Sequence, residues 1–122
     1  MTAELKRFEM PPTNWLSLAD RIAAEIGPRA AEHDAEDSFV AACFERLKAD
    51  GFFKMHVPTE LGGHGASYAE VCAVVRKLGA ACGSTALAFS MHSHIVAVAA
   101  WRWRNEKAPT EGLLKRVAAE NL

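Results

Sequence analysis

The sequence predicts an all-α fold, a bundle of about five to six helices with a long central apolar helix. Three observations carry the prediction. Apolar residues recur at spacings of three and four in several separate stretches, the pattern of one helix face. The stretch Thr85 to Trp103 is apolar almost throughout, as suits a helix that others surround. No pair of alternating apolar and polar runs appears, so no sheet is expected.

The elements follow in order. Residues 1–13 read as an N-terminal tail, and residues 14–122 as one helical domain. Trp15, Leu18, Ala19, Ile22 and Ile26 mark a first amphipathic helix, with Asn14 as its cap and Gly27-Pro28 as its interruption. Arg29 to Asp37 is polar and continues as solvated helix, and Glu25, Glu32, Asp34, Glu36 and Asp37 form an acidic, solvated side. Val40, Cys43, Phe44 and Leu47 mark a second helix, with Asp37 or Ser38 as cap and Gly51 as stop. Phe52 to Val57 reads as short and extended, ending at Pro58. Ser67 and Glu70 form a capping box ahead of a third helix on Tyr68, Val71, Cys72, Val75 and Leu78. Gly79 and Gly83 loosen the chain before the long helix, about Ser84 to Arg104. Asn105 to Pro109 is a loop, and Thr110 caps a last helix with Leu113, Leu114, Val117 and Ala118 on one side.

Composition narrows the function classes. A chain of 122 residues fits one small domain that buries about two-thirds of its unfolded surface. A net charge of -1 gives no drive toward nucleic acid. Cys43, Cys72 and Cys82 are an odd count in apolar stretches, so buried free thiols in a reducing, cytoplasmic compartment are expected. The N-terminus has no apolar run of signal-peptide length. Thr85 to Trp103 holds two serines, two histidines and Arg102, so no membrane span is expected there.

The segment VPTELGGHGASYAE, residues 57–70, puts three glycines into four positions just before a helix. Helix N-termini attract phosphates. The dinucleotide fingerprint, however, wants a preceding strand and a third glycine where Tyr68 stands, and a phosphate loop wants a Lys-Ser/Thr pair that is absent. A tight corner is the better reading. His92 and His94 are two apart, so on a helix they point to nearly opposite sides and cannot share a metal. One should be a hydrogen-bonded core histidine and the other should face a neighbour or pocket; His64, in the glycine loop, should be exposed. Trp101-Arg102-Trp103-Arg104 pairs aromatics with cations. At a helix end in a near-neutral chain, this reads as packing and dipole complement, not as a base-stacking platform. No nucleophile sits in a recognisable catalytic turn.

Pro58, Glu60, Gly62, Gly63 and Gly65 spell P-x-E-x-G-G-x-G. ERLKADGFFKMHVP lies upstream of it, and KLGAACGSTALAF and a long apolar helix lie downstream. Together, from about residue 20 to residue 120, they resemble the N-terminal helical domain of the acyl-CoA dehydrogenase family. The resemblance implies a three-domain flavoenzyme with a middle β-domain and a C-terminal helical domain. FAD lies mainly between those two domains. A glutamate, usually from the C-terminal domain, removes the α-proton of an acyl thioester, and the β-hydrogen leaves as hydride to the flavin. The glycine loop is then a corner between helices and no part of the flavin site. The chain stops at Leu122, about where the middle domain should begin, so it reads as a fragment that is inactive alone and binds FAD weakly. It would hold no catalytic residue and no cofactor ligand.

The first half of the long helix, by the same resemblance, lines the distal end of the acyl pocket through Ala86, Leu87, Ser90, Met91 and His94. The last four stand at i, i+3, i+4 and i+7 and so share a face. Small Ala86 and Ser90 leave room for a bulky tail, or Ser90 and His94 hydrogen-bond a polar substituent. The substrate is then an acyl thioester, the electron-transfer partner is open, and the full-length protein is a homo-oligomer, dimer or tetramer. Two alternatives remain. One is a flavin-dependent monooxygenase of the same fold, which needs no carboxylate base. The other is a non-catalytic helical module that binds a partner.

Overall fold

The computed structural model describes residues 14–36 and 40–120. Six α-helices run through them: α1 Trp15–Ile26, α2 Ala30–Glu36, α3 Ala41–Ala49, α4 Tyr68–Ala81, α5 Gly83–Glu106 and α6 Glu111–Glu120. Short 3-10 turns cover Gly27–Arg29, Phe52–Lys54 and Thr59–Leu61, and no strand occurs among the described residues.

Local chemistry sets the helix ends. The Asn14 side chain accepts from the Ser17 amide at 3.0 Å, so the expected cap is in place. Gly27-Pro28 tightens the chain into a 3-10 turn, and the polar segment continues as α2. Asp37 and Ser38, the expected caps of the next helix, lie outside the described residues. Gly51 takes φ +84° just past α3, a left-handed stop that favours glycine. Ser67 and Glu70 close the capping box of α4 with bonds of 3.1 and 3.0 Å.

The apolar faces meet in two cores. The larger is built from α1, α3, α4 and the start of α5, with Phe52, Phe53 and Met55 from the turn between α3 and α4. Phe52 meets Trp15 edge-on at 5.1 Å, and Phe53 meets Phe44 edge-on at 4.8 Å. The smaller packs α6 against the C-terminal half of α5, with Val57 and Leu61 between them. Surface pairs join neighbouring helices: Arg46 of α3 reaches Glu25 of α1 at 2.8 Å, and Lys77 of α4 reaches Asp20 of α1 at 2.8 Å.

Several expectations are corrected. Phe52 to Val57 is not extended. The positive φ at Gly51 turns the chain, Met55 N bonds back to Phe52 O, and the two phenylalanines go into the core. An extended segment here would need a partner strand for its backbone groups; instead the Lys54, Met55 and Val57 amides bond within the turns, and the carbonyls of Phe53, Lys54, Met55 and Val57 meet His92 and the glycine loop. Gly79 and Gly83 open no gap, because both lie in helices and Cys82 alone separates α4 from α5. The buried face of α4 is Val71, Val74 and Leu78. Tyr68 and Cys72 turn outward, so only Cys43 and Cys82 are buried thiols. In α6, Leu114, Val117 and Ala118 are buried while Leu113 is 44% exposed. The Thr110 hydroxyl donates to the Ala99 carbonyl at 2.8 Å, which ties the start of α6 to α5. Finally, α5 is not covered on all sides, with Leu87, Met91, Ile95, Val98 and Trp101 exposed.

Candidate functional site

The glycine loop folds on itself. Gly62 and Gly65 hold φ +97° and +67°, and a Cβ on Gly63 would stand 2.2 Å from the Val57 carbonyl oxygen. The amides of residues 62 to 66 are all used internally. Gly62 donates to Thr59 O, Gly63 to Pro58 O, His64 to Lys54 O, Gly65 to Val57 O and Ala66 to Met55 O, between 2.7 and 3.2 Å. The next helix start is closed by its capping box, with the Glu70 carboxylate in its first turn. This loop therefore does not fit the pyrophosphate of a dinucleotide or flavin. It is a corner, as its spacing suggests.

Glu60 reaches from the same motif to the far end of α5. Its two carboxylate oxygens accept from Arg104 Nη1 and Nη2, each at 3.1 Å. Its own backbone amide, and next Arg104, hold this carboxyl below the usual carboxylate range. The motif thereby clasps the loop onto the helix. Arg104 also lies 5.5 Å from the Trp103 ring centre, and the Trp103 indole donates to Glu111 at 3.2 Å.

The five residues of the expected acyl wall separate into two groups. Ala86 is buried at 6% exposure and faces Gly79 of α4. Leu87 and Met91 are both 65% exposed, and His94 is exposed beside them. Ser90 is half-buried and donates its hydroxyl to the Leu87 carbonyl at 2.7 Å, which occupies its proton locally. The open face continues past these residues through Ile95, Val98 and Trp101, at 58%, 45% and 58% exposure. That makes a stripe of large apolar side chains along most of α5, unusual on a small domain's surface.

The two histidines diverge. His92 points inward, 2.7 Å from the Phe53 carbonyl oxygen, and stacks on the Phe53 ring at 4.6 Å. Burial holds it below its ordinary range, while the bond to Phe53 pulls the other way. His94 lies on the open face. Among the described residues no set of three His, Cys, Asp or Glu side chains comes together as a metal site. His64 is exposed, with its ring edge-on to Trp15 at 5.2 Å. Among the described residues, no helix is long and apolar enough to cross a membrane.

Beyond His94 the open face leads into a groove of about 650 Å³ between α5 and residues 56–68. His56, Tyr68, Trp101 and Asn105 line it with His94. Sequence reasoning missed this groove, because its two sides are some forty residues apart. The one available signal was Tyr68, the chain's single tyrosine, which follows the capping serine directly.

Comparison with known proteins agrees with this fold. Residues 17–120 match the family model for the acyl-CoA dehydrogenase N-terminal domain. An amino sugar nitrososynthase of Streptomyces rubradiris is 32% identical over 108 residues, covering 88% of this chain and 26% of that protein. The human mitochondrial short-chain specific acyl-CoA dehydrogenase is 31% identical over 90 residues, covering 71% and 22%. A probable FMNH2-dependent monooxygenase of Pseudomonas putida is 30% identical over 87 residues, covering 71% and 22%. No solved structure matches. The chain thus spans about a quarter of the length of these relatives. An all-α chain with a self-closed glycine corner, one half-open long helix and a family match over residues 17–120 belongs to the acyl-CoA dehydrogenase family, within its N-terminal domain.

Proposed function

We propose that this chain is the N-terminal helical part of an FAD-dependent oxidoreductase that dehydrogenates an acyl thioester between its α and β carbons. In this reading a middle β-domain and a C-terminal helical domain carry the flavin and the base. The open face of α5 supplies a wall of the acyl pocket through Leu87, Ser90, Met91 and His94, with small Ala86 behind it. The observation that carries the proposal is the exposed stripe of Leu87, Met91, Ile95, Val98 and Trp101 on a helix otherwise packed in the core. Such a stripe suits an apolar substrate tail and the neighbouring domains that enclose it. The enzyme is cytoplasmic and works as a homo-oligomer, and this part alone is inactive. The three cysteines, all free thiols, support the compartment.

A second reading has an observation of its own. Two of the relatives are a nitrososynthase and a probable FMNH2-dependent monooxygenase, so membership does not decide the reaction. The experiment takes the protein from the complete reading frame, loads it with FAD and adds acyl-CoA thioesters without oxygen. Bleaching of the flavin by an acyl-CoA supports dehydrogenation. No bleaching by any acyl-CoA, with an oxygen atom from O2 incorporated into a product once the flavin is reduced externally, supports the monooxygenase reading instead.

A further inference from the structure

The groove shares His94 with the face of α5 proposed as an acyl wall, so the two surfaces are continuous. The wall, Leu87 to His94, covers about 10 Å of helix, and the groove residues of α5, His94 to Asn105, cover about 16 Å more. At about 650 Å³ the groove has the size of a small-ligand site, and its lining is mainly apolar. Ala97, Val98 and Trp101 come from α5, and Pro58, Ala66 and Tyr68 from the facing segment. Polar side chains around it already bond within the protein. Arg104 is held by Glu60, and Asn105 Nδ2 donates to the Trp101 carbonyl at 2.9 Å. The Ser67 hydroxyl accepts from the Glu70 amide at 3.1 Å, and His56 Nδ1 lies 2.7 Å from the Ala66 carbonyl oxygen. An apolar occupant strips none of these four side chains of its partner.

We infer that the groove is a second compartment of the acyl pocket, entered past His94, and that the substrate is an acyl thioester whose tail is long enough to reach it. Short tails end against Leu87, Met91 and His94. Longer tails pass them to Val98 and Trp101, and each methylene that leaves water for the groove adds to affinity. Val98 and Trp101 thereby become determinants of tail length, one and two turns beyond the wall. The rival occupant is a segment from the rest of the polypeptide, which would fill the groove and leave the added tail length without effect there. The inference deepens the function proposed above and rests on it at one point, that the ligand is an acyl thioester.

The test uses the protein from the complete reading frame, loaded with FAD, and the thioether analogues of octanoyl-CoA and hexadecanoyl-CoA, which bind without reacting. Calorimetry gives the ratio of their dissociation constants. The hexadecanoyl analogue should bind about tenfold tighter or more. Val98→Trp fills the groove from an exposed position and should cut that ratio to about threefold or less. Ala97→Leu adds less bulk at a half-buried position of the same lining and should move the ratio the same way. It carries the test if the larger variant fails to fold. Glu32→Trp, on exposed α2, is the control and should keep the ratio. Equal binding of the two analogues by the unaltered protein, or a ratio that neither groove variant moves, overturns the inference, while octanoyl binding leaves the proposed enzyme standing. Failure of both analogues to bind overturns the proposed enzyme, and the second compartment with it.

Discussion

Gly63 constrains the corner more tightly than its two neighbours. Gly62 and Gly65 are needed for their positive φ, but Gly63 is needed because the Val57 carbonyl stands where its Cβ would be. Gly63→Ala should therefore cost about 3 kcal/mol, as a backbone clash that no rotamer relieves. Gly112→Ala is the matched control, because nothing lies within 4 Å of its Cβ position, and the midpoint of urea unfolding should barely move or should rise. Ser67→Ala should cost about 1 kcal/mol through loss of the α4 cap. His92 is the residue to follow with pH. Burial lowers its folded proton affinity below the usual 6.5, so its contribution is whole above that pH and is lost as pH falls from about 6.5 toward the folded value. His64, exposed but partly desolvated beside Trp15, is lowered by that desolvation and then by Lys54, and adds a smaller part of the same sign. Glu25 and Glu120, lowered chiefly by Arg46 and Arg116, act in a separate window, below about 4.5. Denaturation between about pH 6.5 and 5 should thus show falling stability, and His92→Gln, which keeps a donor for Phe53 O, should flatten the slope. The capping box was legible because its four residues are contiguous. The opposite facing of His92 and His94 was legible from their spacing, but which of them turns inward, and the role of Glu60, were not, because the partners of His92 and Glu60 lie 39 and 44 residues away.

At the scale of elements, α5 is two-faced in a way its composition hides. Its apolar residues surround the helix axis, and periodicity cannot say which of them a neighbour covers. α4 covers one side, α6 covers part of another, and the stripe from Leu87 to Trp101 has no cover among the described residues. Substitutions should report this asymmetry. Leu114→Ala removes a side chain with 0% exposure from the α5–α6 core and should cost about 2–5 kcal/mol. Met91→Ala, on the open face, should stay within about 0.5 kcal/mol. Equal losses would mean that Met91 is packed. The segment after α3 failed as a sequence reading for a related reason. Phe52 to Val57 has the bulky residues of a strand, but without a partner strand its backbone closes into turns and its aromatics fill the core. The shared helix face of Leu87, Ser90, Met91 and His94 was legible from spacing but depth was not, so Ala86 went to the core while Leu87, Met91 and His94 stayed open.

For the whole molecule, fold class and family were both readable, the first from helical spacing and the second from P-x-E-x-G-G-x-G set between two helices. The corner does its work by geometry: it turns the chain between α3 and α4, and Glu60 fastens it to the end of α5. Arg104 of that clasp lines the groove, and the apolar stripe of α5 lies open beside it. The central claim is that this stripe is a wall of an acyl pocket. The most direct measurement is kcat/KM across acyl-CoA chain lengths for the complete enzyme and its Met91→Trp and Leu87→Trp variants, with Glu32→Trp on the exposed side of α2 as control. The account predicts a loss of about tenfold or more for the longest chains in the two α5 variants, little change for the shortest, and an unchanged profile in the control. A profile that keeps its shape in both α5 variants would contradict it.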